Sequence, residues 1–193
     1  MSFINLVMTD QLISIISDGQ ITKNGIITES HFKKFESSPQ GYVIGITGYE
    51  KITNAIRKKF FYQPMMPYHE AEELLLSELN KFKNKQVRIN QSIKYNAVMA
   101  GFVSADRIPQ ASLFHIEDGK IKQKNYHSGA VLSLLPDDIS FNPNQLILQN
   151  LKQIPKENHA LALPILQRNT LYKVASASQT VNNTVFQEII RKG

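Results

Sequence analysis

The chain has no cysteine. Disulfides, thiolate metal sites and a cysteine nucleophile are therefore excluded, while the redox compartment stays open. No apolar run approaches the roughly 20 residues that cross a bilayer, so no membrane association is expected. The opening Met-Ser-Phe has no basic residue, and Asp10 interrupts the apolar stretch behind it, so no signal peptide is expected. With nothing directing the chain elsewhere, the cytoplasm is the expected compartment. There is no charge block or low-complexity tract to suggest extended disorder. Both usual glycine-rich phosphate loops are missing, and His69–Glu70–Ala71–Glu72–Glu73 lacks the second histidine of a zinc helix. No metal or cofactor is expected.

What is present suits one substantial domain spanning 1–193, with 42% apolar residues. The net charge of +6 invites a nucleic-acid reading. The bases are scattered, however, in small clusters at Arg57–Lys58–Lys59, Lys81 to Lys85 and Lys120 to Lys124. No recognition motif accompanies them, so solvated helix faces explain them better than nucleic-acid binding. Binding of some anionic partner rests on the charge alone.

Two short β-prone runs, Phe3 to Met8 and Leu12 to Ser17, meet at the polar turn Thr9–Asp10–Gln11. A loop containing Gly25 leads to a third strand, Gly41 to Thr47, apolar enough to be buried on both faces. The period then becomes helical over Tyr49 to Tyr62, until Pro64 and Pro67, and again over Tyr68 to Phe82. Strands return at Tyr95 to Ser104 and Ala111 to Ile116, with Glu117–Asp118–Gly119–Lys120 as a tight hairpin into Ile121 to Tyr126. An apolar run, Ala130 to Leu135, stops at Pro136. Helices are expected over Gln145 to Ile154, with Pro143 near the start, and over Ala160 to Lys173, with Pro164 in the first turn. Val174 to Val181 reads as a polar strand, and Thr184 to Ile190 as either strand or short helix. Clustered strands separated by paired helices suit antiparallel sheets with helices packed outside, an α+β fold.

The stretch from Ser2 to Gly48 carries the chemistry. Asp18–Gly19–Gln20 with Thr22, then Lys34, then Gly48 closing Ile44–Gly45–Ile46–Thr47–Gly48, stand at fixed distances from Ser2. Taken singly, Asp18 reads as a turn acid, Lys34 as half of a solvated pair with Lys33, and Gly48 as a strand terminator. Taken together, and counted from Ser2 as first mature residue, they resemble the proteasome β-subunit superfamily of N-terminal nucleophile hydrolases, in its HslV-like branch. His127–Ser128–Gly129 resembles the glycine-serine segment that follows the family's central hairpin. Beyond Gly129 the likeness loosens. The late family segment bearing an acid and a serine has its nearest counterpart in Ala175–Ser176–Ala177–Ser178–Gln179, which carries no carboxylate.

The resemblance implies a four-layer αββα sandwich and cleavage of amide or peptide bonds. Ser2, exposed by loss of Met1, would be the nucleophile, with its own α-amine as base. Lys34 would keep positive charge beside that amine, Asp18 would hold Lys34 by an ion pair, and the Gly48 N–H would enter the oxyanion hole. Ser128 would hydrogen-bond to the amine. A homo-oligomer, ring-like by resemblance, is implied; an ATPase partner is left open. The rival reading is a catalytically silent scaffold subunit that kept the fold.

Overall fold

Ile4–Met8 and Leu12–Ser17 are strands β1 and β2 in the computed structural model, and every side chain in them is buried. The structure describes residues 2–23, 25–63, 65–84, 86–88, 91–92, 94–127 and 129–193. A small hairpin follows, β3 (Ile21–Lys23) with β4 (Ile26–Glu29), then β5 (Phe35–Ser38) and β6 (Tyr42–Thr47). Helices α1 (Glu50–Tyr62) and α2 (Tyr68–Phe82) precede the short pair β7 (Gln86–Arg88) and β8 (Gln91–Ser92). Strands β9 (Tyr95–Val103), β10 (Ile108–Glu117), β11 (Lys120–Tyr126) and β12 (Ala130–Leu134) come next. Helices α3 (Pro143–Leu151) and α4 (His159–Ala177) lead to the last strand, β13 (Phe186–Arg191). No helix among the described residues is long and apolar enough to cross a membrane.

The chain divides into two compact units. Met1–Lys34 and Ser128–Gly193 form one. Its antiparallel sheet has the order β12-β1-β2-β13. Phe3 and Ile16 pack with Leu171 and Val174 of α4, while Val7 and Leu12 pack with Ile147 of α3 and Leu163 of α4. Between these two clusters runs a buried polar network. The Gln167 amide of α4 donates to Asn5 Oδ1 (2.8 Å) and the Ser14 carbonyl (3.1 Å), and accepts from Ser14 Oγ (2.5 Å). Asn5 in turn donates to the Leu132 carbonyl, so α4, β1, β2 and β12 are pinned in one register.

Phe35–His127 is the other unit, a five-stranded antiparallel sheet of order β11-β10-β9-β6-β5. Tyr42, Ile44 and Ile46 of β6 and Tyr95, Ala97 and Met99 of β9 share a core with Ile52, Ile56 and Phe60 of α1 and Ala71, Leu75 and Leu79 of α2. The expected hairpin is there: Asp118 and Gly119 both have positive φ, the two-residue turn that matches strand twist. Strand β10 starts earlier than the expected Ala111. Its Pro109 pairs with Phe102 of β9, but β11 joins only from Ala111, so the missing N–H leaves no ladder bond unmade.

Two expectations change and one open choice closes. Val174 to Val181 is not a strand. Helix α4 continues to Ala177, because Leu163, Gln167, Thr170, Leu171 and Val174 recur at helical spacing on its buried face. Pro164 is the sixth residue of α4 rather than part of its first turn, since the helix starts at His159, whose Nε2 bonds the carbonyls of Leu151 and Ile154. The last segment is strand β13, paired along β2 from Phe186–Ser17 to Arg191–Leu12. Each unit is α+β with an antiparallel sheet and two helices.

Candidate functional site

Strand β2 delivers Ser17 and Asp18 to the end of the sheet where β1 begins. Asp18 is wholly buried. Its Oδ1 accepts the Phe3 N–H at 2.9 Å, and its Oδ2 accepts the Gln20 N–H at 2.9 Å. The same Oδ2 lies 2.5 Å from Lys34 Nζ. One carboxylate therefore holds both the buried ammonium and the peptide unit that joins Ser2 to Phe3. Ser2 itself is half-buried.

Lys34 is 3% exposed. Burial pushes its pKa below the ordinary lysine value, and the charge and hydrogen bond of Asp18 pull it part of the way back. An ammonium carries three donors. Asp18 is the partner found for this one among the described residues, so the remaining N–H bonds are open to a further acceptor.

Close backbone packing fixes the turn after Asp18. A Cβ on Gly19 would lie 2.6 Å from the Ser30 carbonyl oxygen and 2.9 Å from Thr184, so only glycine fits. Gly19 N–H donates to Asn182 Oδ1 (3.0 Å), and its carbonyl accepts from Phe32 N–H (2.9 Å). Gln20 donates to Thr22 Oγ1 (3.1 Å) and the Gln179 carbonyl (2.8 Å). The motif noticed in the sequence is thus also a brace between the β2 end and the segment after α4.

Gly48 belongs to the other unit, between β6 and α1. Its φ is +134°, a region that favours glycine, and a Cβ there would come within 2.5 Å of Tyr95 Cβ. Packing alone accounts for this glycine. The Tyr95 hydroxyl donates to the Leu79 carbonyl (2.9 Å), and burial raises its pKa to about 12.

Ser128 lies outside the described residues. Ala130, two positions on, pairs with Met8, while Leu134 pairs with Ile4. Strand β12 therefore carries the chain from the Met8 end of β1 to the Phe3 end, where it runs on into Pro136–Asp137–Asp138.

Asp138 supplies what the sequence did not reveal. Its Oδ1 accepts from Ser178 Oγ (2.7 Å) and its Oδ2 from the Gln179 N–H (3.0 Å). Desolvation pushes the Asp138 pKa up, but those two donors together with its own backbone N–H hold the carboxyl below its ordinary value. Ser178 is also 3.0 Å from Thr180 Oγ1. Leu135 and Ile139, flanking Asp138, pack against the cluster that contains Phe3 and Val181, so this acid–serine pair stands at the Phe3 end of the sheet. The segment Ala175–Gln179, which has no carboxylate of its own, thus has one beside it from a turn 40 residues earlier in the chain. The turn residues Pro136–Asp137–Asp138, directly behind an apolar run, were the only available signal. Among the described residues, no three His, Cys, Asp or Glu side chains group to hold a metal ion.

The chain matches no protein-family model, and no curated protein is similar to it in sequence. Solved structures do resemble it in fold. Anbu, an ancestral β-subunit from Yersinia bercovieri, aligns with a TM-score of 0.68 at 14% identity, over 98% of this chain and 81% of that one. HslV from Trypanosoma brucei aligns with a TM-score of 0.59 at 10% identity, over 98% of this chain and 99% of that one. The fold is therefore proteasome-like.

Proposed function

We propose that the protein is a proteasome-like N-terminal nucleophile hydrolase that cleaves amide or peptide bonds, with Ser2 as nucleophile when the chain begins there. The observation that carries this reading is the Asp18 carboxylate, which binds Lys34 Nζ and the Phe3 N–H together in a buried site. A structural ion pair has no need of a link to the second and third residues of the chain. A nucleophile at the N-terminus does, because its position depends on how the first peptide unit is held.

In this proposal the neutral Ser2 α-amine takes the hydroxyl proton as Oγ attacks the substrate carbonyl carbon. With an ordinary pKa near 8, an α-amine is a usable base at neutral pH. The positive charge of Lys34 favours the neutral amine and steadies the growing oxyanion. The Gly48 N–H is assigned to the oxyanion hole on the resemblance. The amine then hands its proton to the departing nitrogen, the C–N bond breaks, and an ester remains on Ser2. Water, deprotonated by the same amine, attacks that ester; the acid leaves and Ser2 recovers its proton.

Ser178, held by Asp138, is the better candidate for hydrogen-bonding to the amine, since the described neighbours of Ser128 stand at the far end of β1. The four-layer αββα arrangement, the single-domain organisation and a ring-like homo-oligomer belong to the same proposal.

Fluorogenic peptide amides test the reading. The protein, with a Ser2 start verified by intact mass, should release fluorophore, and Ser2→Ala and Lys34→Met should each abolish turnover. Equal turnover by wild type and Ser2→Ala rejects Ser2 as nucleophile. No turnover across a varied peptide library favours the scaffold reading.

A further inference from the structure

At the opposite end of β1, about 17 Å from Phe3 at the usual strand rise, the same unit holds a concavity. It is a cavity of about 500 Å³, within the range of small-molecule sites. Val7, Ala130 and Val131 of the sheet form one wall, and Leu148, Leu151 and Leu163 of α3 and α4 form the other. Its depth is continuous with the core cluster of Val7, Leu12, Ile147 and Leu163.

The polar side chains lining it sort into two kinds. Thr9 and His159 are already engaged. Thr9 Oγ1 accepts from the Leu12 N–H at 3.0 Å in the β1–β2 turn, and His159 Nε2 is within 3.1 Å of the carbonyls of Leu151 and Ile154. Lys152 and Lys156 are exposed, and neither ammonium has a carboxylate partner among the described residues. No acidic residue lines the cavity among the described residues. The interior is mainly aliphatic, and no Phe, Tyr or Trp stands among the described lining residues.

We propose that this cavity binds a single-chain anionic amphiphile, with its alkyl chain between α3, α4 and the sheet, and its headgroup at Lys152 and Lys156. Two features of the ligand follow from the lining. The chain supplies most of the affinity, because each methylene buried tightens binding by about fourfold until the space is filled. The charge supplies orientation and a smaller share, about fivefold, because both lysines are exposed and screened by salt. This site is independent of the Ser2 reading and stands whether or not the protein is an enzyme.

Calorimetric titration of the full chain with hexanoate, octanoate, decanoate and dodecanoate, each below its micellar concentration, tests the proposal. Saturable binding that tightens along the series is expected, with dodecanol about fivefold weaker than dodecanoate. Val131→Phe fills the cavity and should abolish binding with its far-ultraviolet spectrum unchanged. If that variant does not fold, Lys152→Glu with Lys156→Glu, both on the surface, should weaken dodecanoate more than dodecanol. Failure of the wild type to bind dodecanoate overturns the proposal. So does dodecanoate affinity unchanged in the Lys152→Glu, Lys156→Glu protein.

Discussion

Asp18 and Lys34 form the kind of pair whose removal is asymmetric. Taking away one partner strands a charge in a site that is 3% exposed at Lys34 and fully closed at Asp18. Asp18→Asn should therefore cost about 3–5 kcal/mol in urea unfolding, and adding Lys34→Met to it should recover part of that loss. A cost below about 1 kcal/mol would place the pair in the class of exposed ion pairs instead. The pH dependence has a definite sign. Folding lowers the pKa of Lys34, so between the folded and unfolded values the unfolded chain binds more protons. The contribution of Lys34 to stability is least favourable below its folded pKa and improves as pH rises toward 10.5, the unfolded value. Wild type minus Lys34→Met stability, followed from pH 7 upward, should thus climb; a falling difference contradicts the assigned shift. Asp18 and Lys34 were legible in the sequence because their spacing from Ser2 is fixed along the chain. Asp138 with Ser178 was not, because nothing local ties an acid in a turn to a serine after a helix.

At the scale of elements, the Gln167 network decides how α4 seats on the sheet. Gln167, Asn5 and Ser14 are all fully buried, and each satisfies the others. Gln167→Leu keeps the volume but leaves Asn5 Oδ1 and Ser14 Oγ without these partners, which should cost about 3 kcal/mol. A shifted urea midpoint with unchanged slope is the expected result; no shift would mean water replaces the side chain. Strands β1, β2, β6, β9 and β11 and both early helices were readable from period and turn chemistry. The absence of a sequence signal for the other elements has physical reasons. Strand β5, Phe35–Ser38, is short and polar and exists by pairing with β6. The hairpin β3–β4 leaves Ile26 and Ile27 more than half exposed, so no buried face marks it in the sequence. The end of α4 reads as a strand because Val174 and Ser176 are weaker helix formers than the alanines between them, and packing of Leu171 and Val174 overrides that local preference.

For the whole molecule, the proposed reading implies assembly from identical copies. Leu161 and Ile165, one turn apart on α4, are 69% and 61% exposed. Apolar side chains left in water at neighbouring positions favour association. Native mass spectrometry should give a multiple of the 21.9 kDa chain mass at micromolar concentration. A 21.9 kDa species alone would count against the ring-like arrangement.

The central claim is that Ser2, steadied by Asp18 and Lys34, is a nucleophile. The most direct measurement is reaction of the protein, its Ser2 start verified by mass, with a hydroxyl-directed electrophile, followed by peptide mapping. One adduct on the N-terminal peptide, absent from Ser2→Ala and from Lys34→Met, is the predicted result. An adduct that persists in Ser2→Ala, or a wild-type chain with a free Ser2 amine that takes up no label, would contradict it.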